Sequence, residues 1–436
     1  MAHPRKPKGI DPVGALASRA AERAARESYG RLVAYLSTRS GDIASAEDAL
    51  AEAFHRALVT WPRDGVPDNP DAWLLVAARR ALGHVWRHRQ VQADAVPHLA
   101  DLIAEAESAM TTTANTAIRD QRLALMLVCA HPDIDPAAQT PLMLQTVLGL
   151  DAAQIASAFL VSPTAMAQRL VRAKARIKAI GVPFSIPEEG VPPERMTALL
   201  DAIYAAFGLG WADPDQQGGF ALSEEAIWLG RVVVDAVPDH AEALGLLALM
   251  LFSHARATTR RGPDGNRFVP LEDQDTDRWD HGMIDAADQV LARAGALGRF
   301  GRYQCEAAIQ AVHAERRTSG ATRWSVLVTL YTALWRMTPT VGVAVGRAAA
   351  LGRAIDPEQG LAALATLDPK RVATYQPFHA TRAHLLARLA DRQPYRRMEA
   401  QEAFRRAIGL TEDPAVRAYL IDQASRHAPD DRPGQG

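Results

Sequence analysis

The run from Asp151 to Ala179 admits few folds, because it holds two short helical patterns with a break too tight for anything but a turn. Asp151 suits the N-cap of a first helix whose apolar positions Ile155, Ala156 and Phe159 recur at helical spacing. Val161-Ser162-Pro163 then interrupts it. Ser162 is a capping residue and Pro163 fits the first position of a second helix, where a missing N–H does no harm. Along that helix Met166, Leu170, Ala173 and Ile177 form an inner stripe, while Arg169, Arg172, Lys174, Arg176 and Lys178 are five cations with no intervening acid. Like charges at helical spacing repel by a few tenths of a kcal/mol per pair. An anionic partner would relieve that repulsion. The small Ala156 lets the two helices approach closely, as a helix-turn-helix requires, and the second helix of such a unit is the one that enters a DNA groove. On spacing alone two readings stand: a solvated amphipathic helix, or a DNA reader.

Composition bounds the remainder. The 436 residues have room for about three ordinary domains, and a 48% hydrophobic share is that of a globular chain. The net charge of −1 conceals a contrast. Residues 72–90 carry four arginines and no acid, and residues 162–178 carry the five cations, so basic patches sit on an otherwise acidic body. Two cysteines, Cys129 and Cys305, are too few for a disulfide framework or a metal knuckle, which suits a reducing cytoplasm. No signal core follows the basic MAHPRKPKGI start, and no apolar run reaches the roughly 18 residues of a membrane span. The expectation is a soluble, cytoplasmic protein.

In chain order, residues 1–10 read as a disordered tail. Helices follow from Gly14 to Trp61, broken at Ser40-Gly41, with Tyr29, Leu32, Val33 and Leu36 on one face and Ala46, Ala49, Leu50, Ala53, Phe54 and Ala57 on another. The second opens with SAEDALAEAF, placing Glu47, Asp48 and Glu52 in its N-terminal half. Those acids either serve the helix dipole or form a docking face for a basic partner. Pro62 to Pro70 read as a turn. A long helix then interleaves Trp73, Val76, Ala77, Leu82 and Trp86 with Arg79, Arg80, Arg87 and Arg89. Cations for phosphates and aromatics for unstacked bases are what single-stranded nucleic acid needs, although tryptophans at helical spacing more often fill a core. An Ala/Thr-rich linker follows, then an apolar helix from Arg119 to Ala130, a stop at HPDIDP, and a helix from Ala137 to Leu148.

The helical block ending in NPDAWLLVAARRAL, the linker, and RLALMLVCAHPDIDP followed by AFLVSPTAMAQRLVRAKARIK resemble the extracytoplasmic-function sigma factors of bacterial RNA polymerase. More narrowly, ALGLLALMLFSHAR, LEDQDTDRW and GRYQCEAAIQAVHA resemble the subgroup with a tetratricopeptide-like C-terminal extension. The resemblance covers nearly everything after about Arg26. It implies an all-α fold: sigma region 2 over 11–90, a linker over 91–118, region 4 with the helix-turn-helix over 119–182, a second linker over 183–195, a helical-repeat extension over 196–428, and a short tail over 429–436. It implies that Glu47, Asp48 and Glu52 meet core RNA polymerase. Trp73, Arg79, Arg80, His84, Trp86 and Arg87 would capture the minus-ten promoter element as single strand. Thr164, Ala165, Gln168, Arg169, Arg172, Lys174 and Arg176 would read the minus-thirty-five element as duplex. Partners would be core polymerase, promoter DNA and a protein regulator of the extension, with no membrane and no cofactor. Two departures from the family pattern bear on promoter recognition: the first implies minus-ten capture of altered sequence preference or weakened strength, the second a recognition helix of altered base preference. His84-Val85-Trp86-Arg87 stands where an Asp followed by Arg-Leu-Arg is usual, and Ser162-Pro163-Thr164-Ala165 stands where Pro-Glu-Ala-Thr is usual. A reading from another class is a helix-turn-helix regulator that has lost promoter melting.

Beyond the proline-rich PFSIPEEGVPPE, Ala-rich amphipathic helices recur in pairs: Glu224 to Ala236 with His240 to Ala255, Trp324 to Met337 with Gly342 to Leu351, and His379 to Leu389 with Ala400 to Leu410. The repeat departs from the strict interval of about 34 residues expected for ideal tetratricopeptide units. Stacking is still the simplest way to bury such faces. The acids Glu272, Asp273, Asp275 and Asp277 near His281 lack the register and glycine of a Ca²⁺ loop. Cys305 and His313 lack a third member for nucleophilic catalysis, and no phosphate-cradling glycine loop occurs. The expectation is no metal and no enzyme.

Overall fold

The computed structural model describes residues 12–89, 112–187, 190–212, 219–262, 265, 267–390 and 392–427. The two expected tails and most of the first linker lie outside them. The described residues are all-α, with no strand among them and one isolated bridge between Arg261 and Phe268. The chain divides into two compact units at Val233–Val234. That division falls inside the stretch read from sequence as one extension.

The first unit holds α1 (Pro12–Ser40), α2 (Ile43–Asp64), α3 (Pro70–Arg89), α4 (Thr112–Cys129), α5 (Pro136–Leu148), α6 (Ala152–Ala158), α7 (Pro163–Ile180), α8 (Pro193–Ala212) and most of α9 (Gly219–Ala236). Helices α1, α2 and α3 share one core, in which Leu32, Val33, Leu36, Ile43, Leu50, Trp61 and Leu74 are fully buried. The expected turn from Pro62 is corrected: α2 runs on through Pro62 to Asp64. Buried Trp61 anchors that last turn. The helix continues although Pro62 supplies no N–H to the Leu58 carbonyl, and Gly65 (φ +87°) terminates it by donating to the Trp61 carbonyl at 3.0 Å. Asp71, in the first turn of α3, accepts from Ser28 (2.6 Å) and Arg31 (2.7 Å), tying α3 to α1. Helices α4 and α5 pack on α1, burying Leu123, Leu125, Leu127, Leu142 and Met143.

The second unit contains α10 (Ala241–His254), α11 (His281–Ala296), α12 (Arg302–Ala314), α13 (Arg316–Ser319), α14 (Trp324–Met337), α15 (Val341–Ala354), α16 (Pro357–Ala365), α17 (Pro369–Val372), α18 (Gln376–Ala390), α19 (Arg396–Leu410) and α20 (Pro414–Arg426). Helix α10 is apolar around its whole girth and buried from Ala243 to Ser253, flanked by α11 and α12. Glu242 accepts from the backbone N–H groups of Tyr303 (2.9 Å) and Gln304 (3.2 Å), so a carboxylate closes the start of α12. Further on, α14 pairs with α15, α15 with α16, α18 with α19 and α19 with α20. Each pair closes a cluster such as Ala383, Leu386, Ala403 and Phe404. The intervals stay unequal.

Candidate nucleic-acid interface

Helices α6 and α7 are joined by a short turn. Asp151 accepts from the N–H groups of Ala153 (2.9 Å) and Gln154 (2.8 Å), and the Gln154 side chain accepts from the Asp151 N–H at 3.0 Å, a reciprocal capping box. The turn passes through Leu160, whose φ of +53° is rare for a branched side chain and whose surface is 93% exposed. Ser162 caps α7 by accepting from Ala165 N–H at 3.2 Å, with Pro163 at the first helical position, and Gly181 ends the helix in the left-handed region. Ile155 and Ala156 of α6 are buried, as are Met166, Leu170, Ala173 and Ile177 of α7. Phe159 is only half-buried and stands at the C-cap.

The outer face of α7 exposes Thr164, Ala165, Gln168, Arg172 and Arg176. Arg172 Nε donates to the Gln168 carbonyl (3.3 Å) and Arg176 reaches Asp133 at 3.3 Å with both ends in solvent, so each could be exchanged for a phosphate at little cost. Arg169 and Lys174 are placed otherwise. Pro141 interrupts α5 without an N–H, which leaves the carbonyl of Ala137 without its helical partner, and Arg169 Nη1 donates to that oxygen at 3.2 Å. Lys174 turns toward α2 and bonds Glu47, the two side chains being 11% and 17% exposed. Lys178 bonds Asp42.

Asp42 is the N-cap of α2, accepting from Ala44 N–H (3.1 Å) and Ser45 Oγ (2.7 Å). Burial opposes its ionisation, yet the hydrogen bonds from Lys178 and Ser45 hold its pKa below the ordinary carboxylate value. Glu47 goes the other way: burial raises its pKa and Lys174 offsets that only in part. Its second oxygen is buried and accepts no hydrogen bond among the described residues. Asp48 is exposed, and Glu52 is exposed beside Arg56 at 2.9 Å. On α3, Trp73 is half-buried and meets Trp61 edge to face, with centroids 5.5 Å apart. Arg79 is half-buried and Arg80 exposed, while the side chains of His84, Trp86 and Arg87 lie outside the described residues.

Two residues that hold this unit together escaped the sequence reading. Asp42 was signalled only by its place before a helical pattern. Arg122 was signalled by being the one cation in RLALMLVC. Its side chain is 5% exposed; it bonds the carbonyl of Val147 (3.2 Å) and the carboxylate of Glu225, with the ring of Trp228 4.6 Å away. In the second unit, Glu272 pairs with Arg353, Asp275 caps a short turn and Asp280 caps α11. No group of three potential metal ligands occurs among the described residues. Cys305 donates to the Leu330 carbonyl at 3.3 Å, and burial raises its thiol pKa to about 11. His313 stands edge-on to Trp324.

Residues 25–91, which run from within α1 to the end of α3, match the family model for sigma-70 region 2. Residues 195–295 match a family of unknown function, DUF6596. Over 401 residues the chain is 38% identical to the uncharacterized protein R00370 of Rhizobium meliloti (strain 1021), spanning 90% of this chain and 92% of that one, and it belongs to the same family. No solved structure matches. Among the described residues no helix is long and apolar enough to cross a membrane.

Proposed function

We propose that this protein is a sigma factor of the extracytoplasmic-function type, which binds core RNA polymerase and directs it to particular promoters. The single observation that carries this reading is the sigma-70 region 2 match over 25–91, in a chain that also presents a capped helix-turn-helix with a cationic outer face. Glu47, Asp48 and Glu52 on α2 dock on the polymerase. Helix α3 takes the melted minus-ten strand, with Arg79, Arg80 and Arg87 toward phosphates and Trp73, His84 and Trp86 against bases. Helix α7 enters the minus-thirty-five major groove, with Thr164, Ala165 and Gln168 toward base edges and Arg172 and Arg176 toward phosphates; Arg169 and Lys174 would first have to leave the Ala137 carbonyl and Glu47. The helices after the second linker form a tetratricopeptide-like regulatory part that receives a protein partner. The work done is binding, not covalent chemistry, in the cytoplasm.

Run-off transcription with purified core polymerase, on promoters selected from a random library, tests this. Transcripts that depend on the added protein are expected. Their absence on every selected template, with the core enzyme active alongside another sigma factor, overturns the reading.

A further inference from the structure

We propose that the gap between α16 and α19 binds a small organic acid, one that joins an apolar ring or short chain to a single carboxylate. The proposal stands on the second unit by itself and does not depend on the sigma-factor reading. Helices α16 and α19 each pack against α18. Between them lies a cavity of about 220 Å³, and α18 walls it with Phe378, Arg382 and Leu386, which recur every fourth position along one face of that helix.

The apolar half of the cavity is a seam in the core. Leu364 of α16 belongs to the cluster that includes Val345 and Leu385, whereas Leu386 belongs to the cluster that includes Phe404. Leu361 packs against both clusters, and the space between them stays open. At its edge Ala365 offers only a methyl group. A water held there would need roughly two to four polar partners, which leucines and a phenylalanine do not supply. An apolar cavity of about 150 Å³ accepts a benzene, and pockets for drug-sized ligands begin near about 300 Å³. The volume here lies between those two, so it suits one ring or a short chain.

The polar half selects the charge. Arg396 Nη1 donates to both oxygens of Glu399 at 3.0 Å, while Arg382 stands 3.7 Å from the same carboxylate, farther than a hydrogen bond reaches. Two guanidinium groups thus share one acid, and the fork of Arg382 is the one placed to grip a second carboxylate. Its side chain is 37% exposed, so the charged end of the ligand stays wet while the apolar end is covered. The surroundings favour the same sign: residues 369–410 hold nine lysines and arginines against Asp391, Glu399 and Glu402, in a chain whose net charge is −1. Glu402 is itself engaged by Arg405 at 2.6 Å. One cation in excess matches a monoanion, whereas a phosphate ester brings about 1.5 to 2 negative charges.

Calorimetric titration of the full chain with phenylacetate and with octanoate, each against its neutral amide, tests the site. Both acids should bind with a dissociation constant of roughly 1 mM or below. Phenylacetamide and octanamide keep the apolar part and lose the charge, so they should bind about ten-fold more weakly. Arg382→Met leaves Glu399 its contact with Arg396 and should weaken the acids about ten-fold while leaving the amides unchanged. Ala365→Trp, at an exposed position of the lining, should fill the mouth and abolish binding of all four compounds without altering the melting temperature of the free protein. No heat from either acid, acids and amides bound equally, or acids bound undiminished by either variant each overturn the proposal. A blocked Asp-Phe-Asp peptide that binds more tightly than both free acids, and loses that affinity in Arg382→Met, also overturns it, because the cavity is then a dock for a protein partner. None of these readouts involves polymerase or DNA, so a failed run-off assay would remove the sigma reading and leave this site to stand or fall by itself.

Discussion

The guanidinium of Arg122, almost wholly enclosed, is held by the carboxylate of Glu225, which is itself 36% exposed. Burial lowers the pKa of the arginine and the Glu225 carboxylate opposes that shift, so the guanidinium carries its charge against a counter-ion. The two partners are therefore unequal. Glu225→Ala leaves a buried charge without its counter-ion and should destabilise the first unit by about 3–5 kcal/mol, whereas Arg122→Met leaves a carboxylate that water can reach and should cost clearly less. Chemical denaturation of both variants gives the comparison, and equal costs would show that Val147 and Trp228, not Glu225, satisfy the arginine.

Gly30 and Gly208 both lie inside helices, and an alanine at each should act in opposite directions. At Gly30 the new methyl would meet a backbone oxygen that cannot move without shifting α5, so Gly30→Ala should lower stability by about 1–3 kcal/mol or more. At Gly208 nothing lies within 4 Å, so Gly208→Ala should raise it by about 0.5–1 kcal/mol through helix propensity. Thermal melting of the two single variants checks the pair.

The second unit carries a pH limit set by two histidines. Burial, reinforced by Arg256 and Arg316, pushes His313 from its ordinary 6.5 down to about 3, and burial with His427 pushes His384 down to about 4. Both are neutral in the folded state and would take up a proton on unfolding once the pH falls below about 6.5. Their contribution is therefore complete above that pH and is lost progressively as the solution is acidified toward the folded values. Each such group steepens the decline by at most about 1.4 kcal/mol per pH unit. Melting curves between pH 4 and 7 should show an acid limb that His313→Phe makes shallower; an unchanged limb would place its origin elsewhere.

The two helices α6 and α7 and their caps were legible because their signals are local. Asp151, Ser162 and Pro163 act on the next few residues, and Met166, Leu170, Ala173 and Ile177 repeat at one period. The all-α class followed for the same reason. What could not be read was which cation faces which way, because that depends on partners distant in sequence. Lys174 answers to Glu47, and Arg169 answers to a carbonyl freed by Pro141. Pro62 misled as a turn signal because tertiary burial of Trp61 carries α2 past it. The unit boundary near Val233 was hidden likewise, since packing of α8 on α5 and the Arg122–Glu225 pair join α8 and α9 to the helices before them.

The cations of α7 should separate into two classes when replaced one at a time. Arg172 is exposed and, among the described residues, bonds a carbonyl of its own helix, so Arg172→Ala should leave the fold intact. If it contacts phosphate, the variant lowers the salt slope of duplex binding by about 0.9 and weakens binding to all sequences alike. Arg169 is different, because its guanidinium satisfies the Ala137 carbonyl that Pro141 leaves open at the start of α5. Arg169→Ala should therefore cost about 1–3 kcal/mol of stability, with a smaller change in slope than Arg172→Ala gives. Restoring an N–H to α5 with Pro141→Ala should offset part of that loss, since the helix then supplies the missing donor itself. Salt titrations and melting curves for Arg172→Ala, Arg169→Ala and the Arg169→Ala, Pro141→Ala double variant decide it. A slope lowered equally by both single variants, with no loss of stability in Arg169→Ala, would assign Arg169 to the DNA and not to the carbonyl.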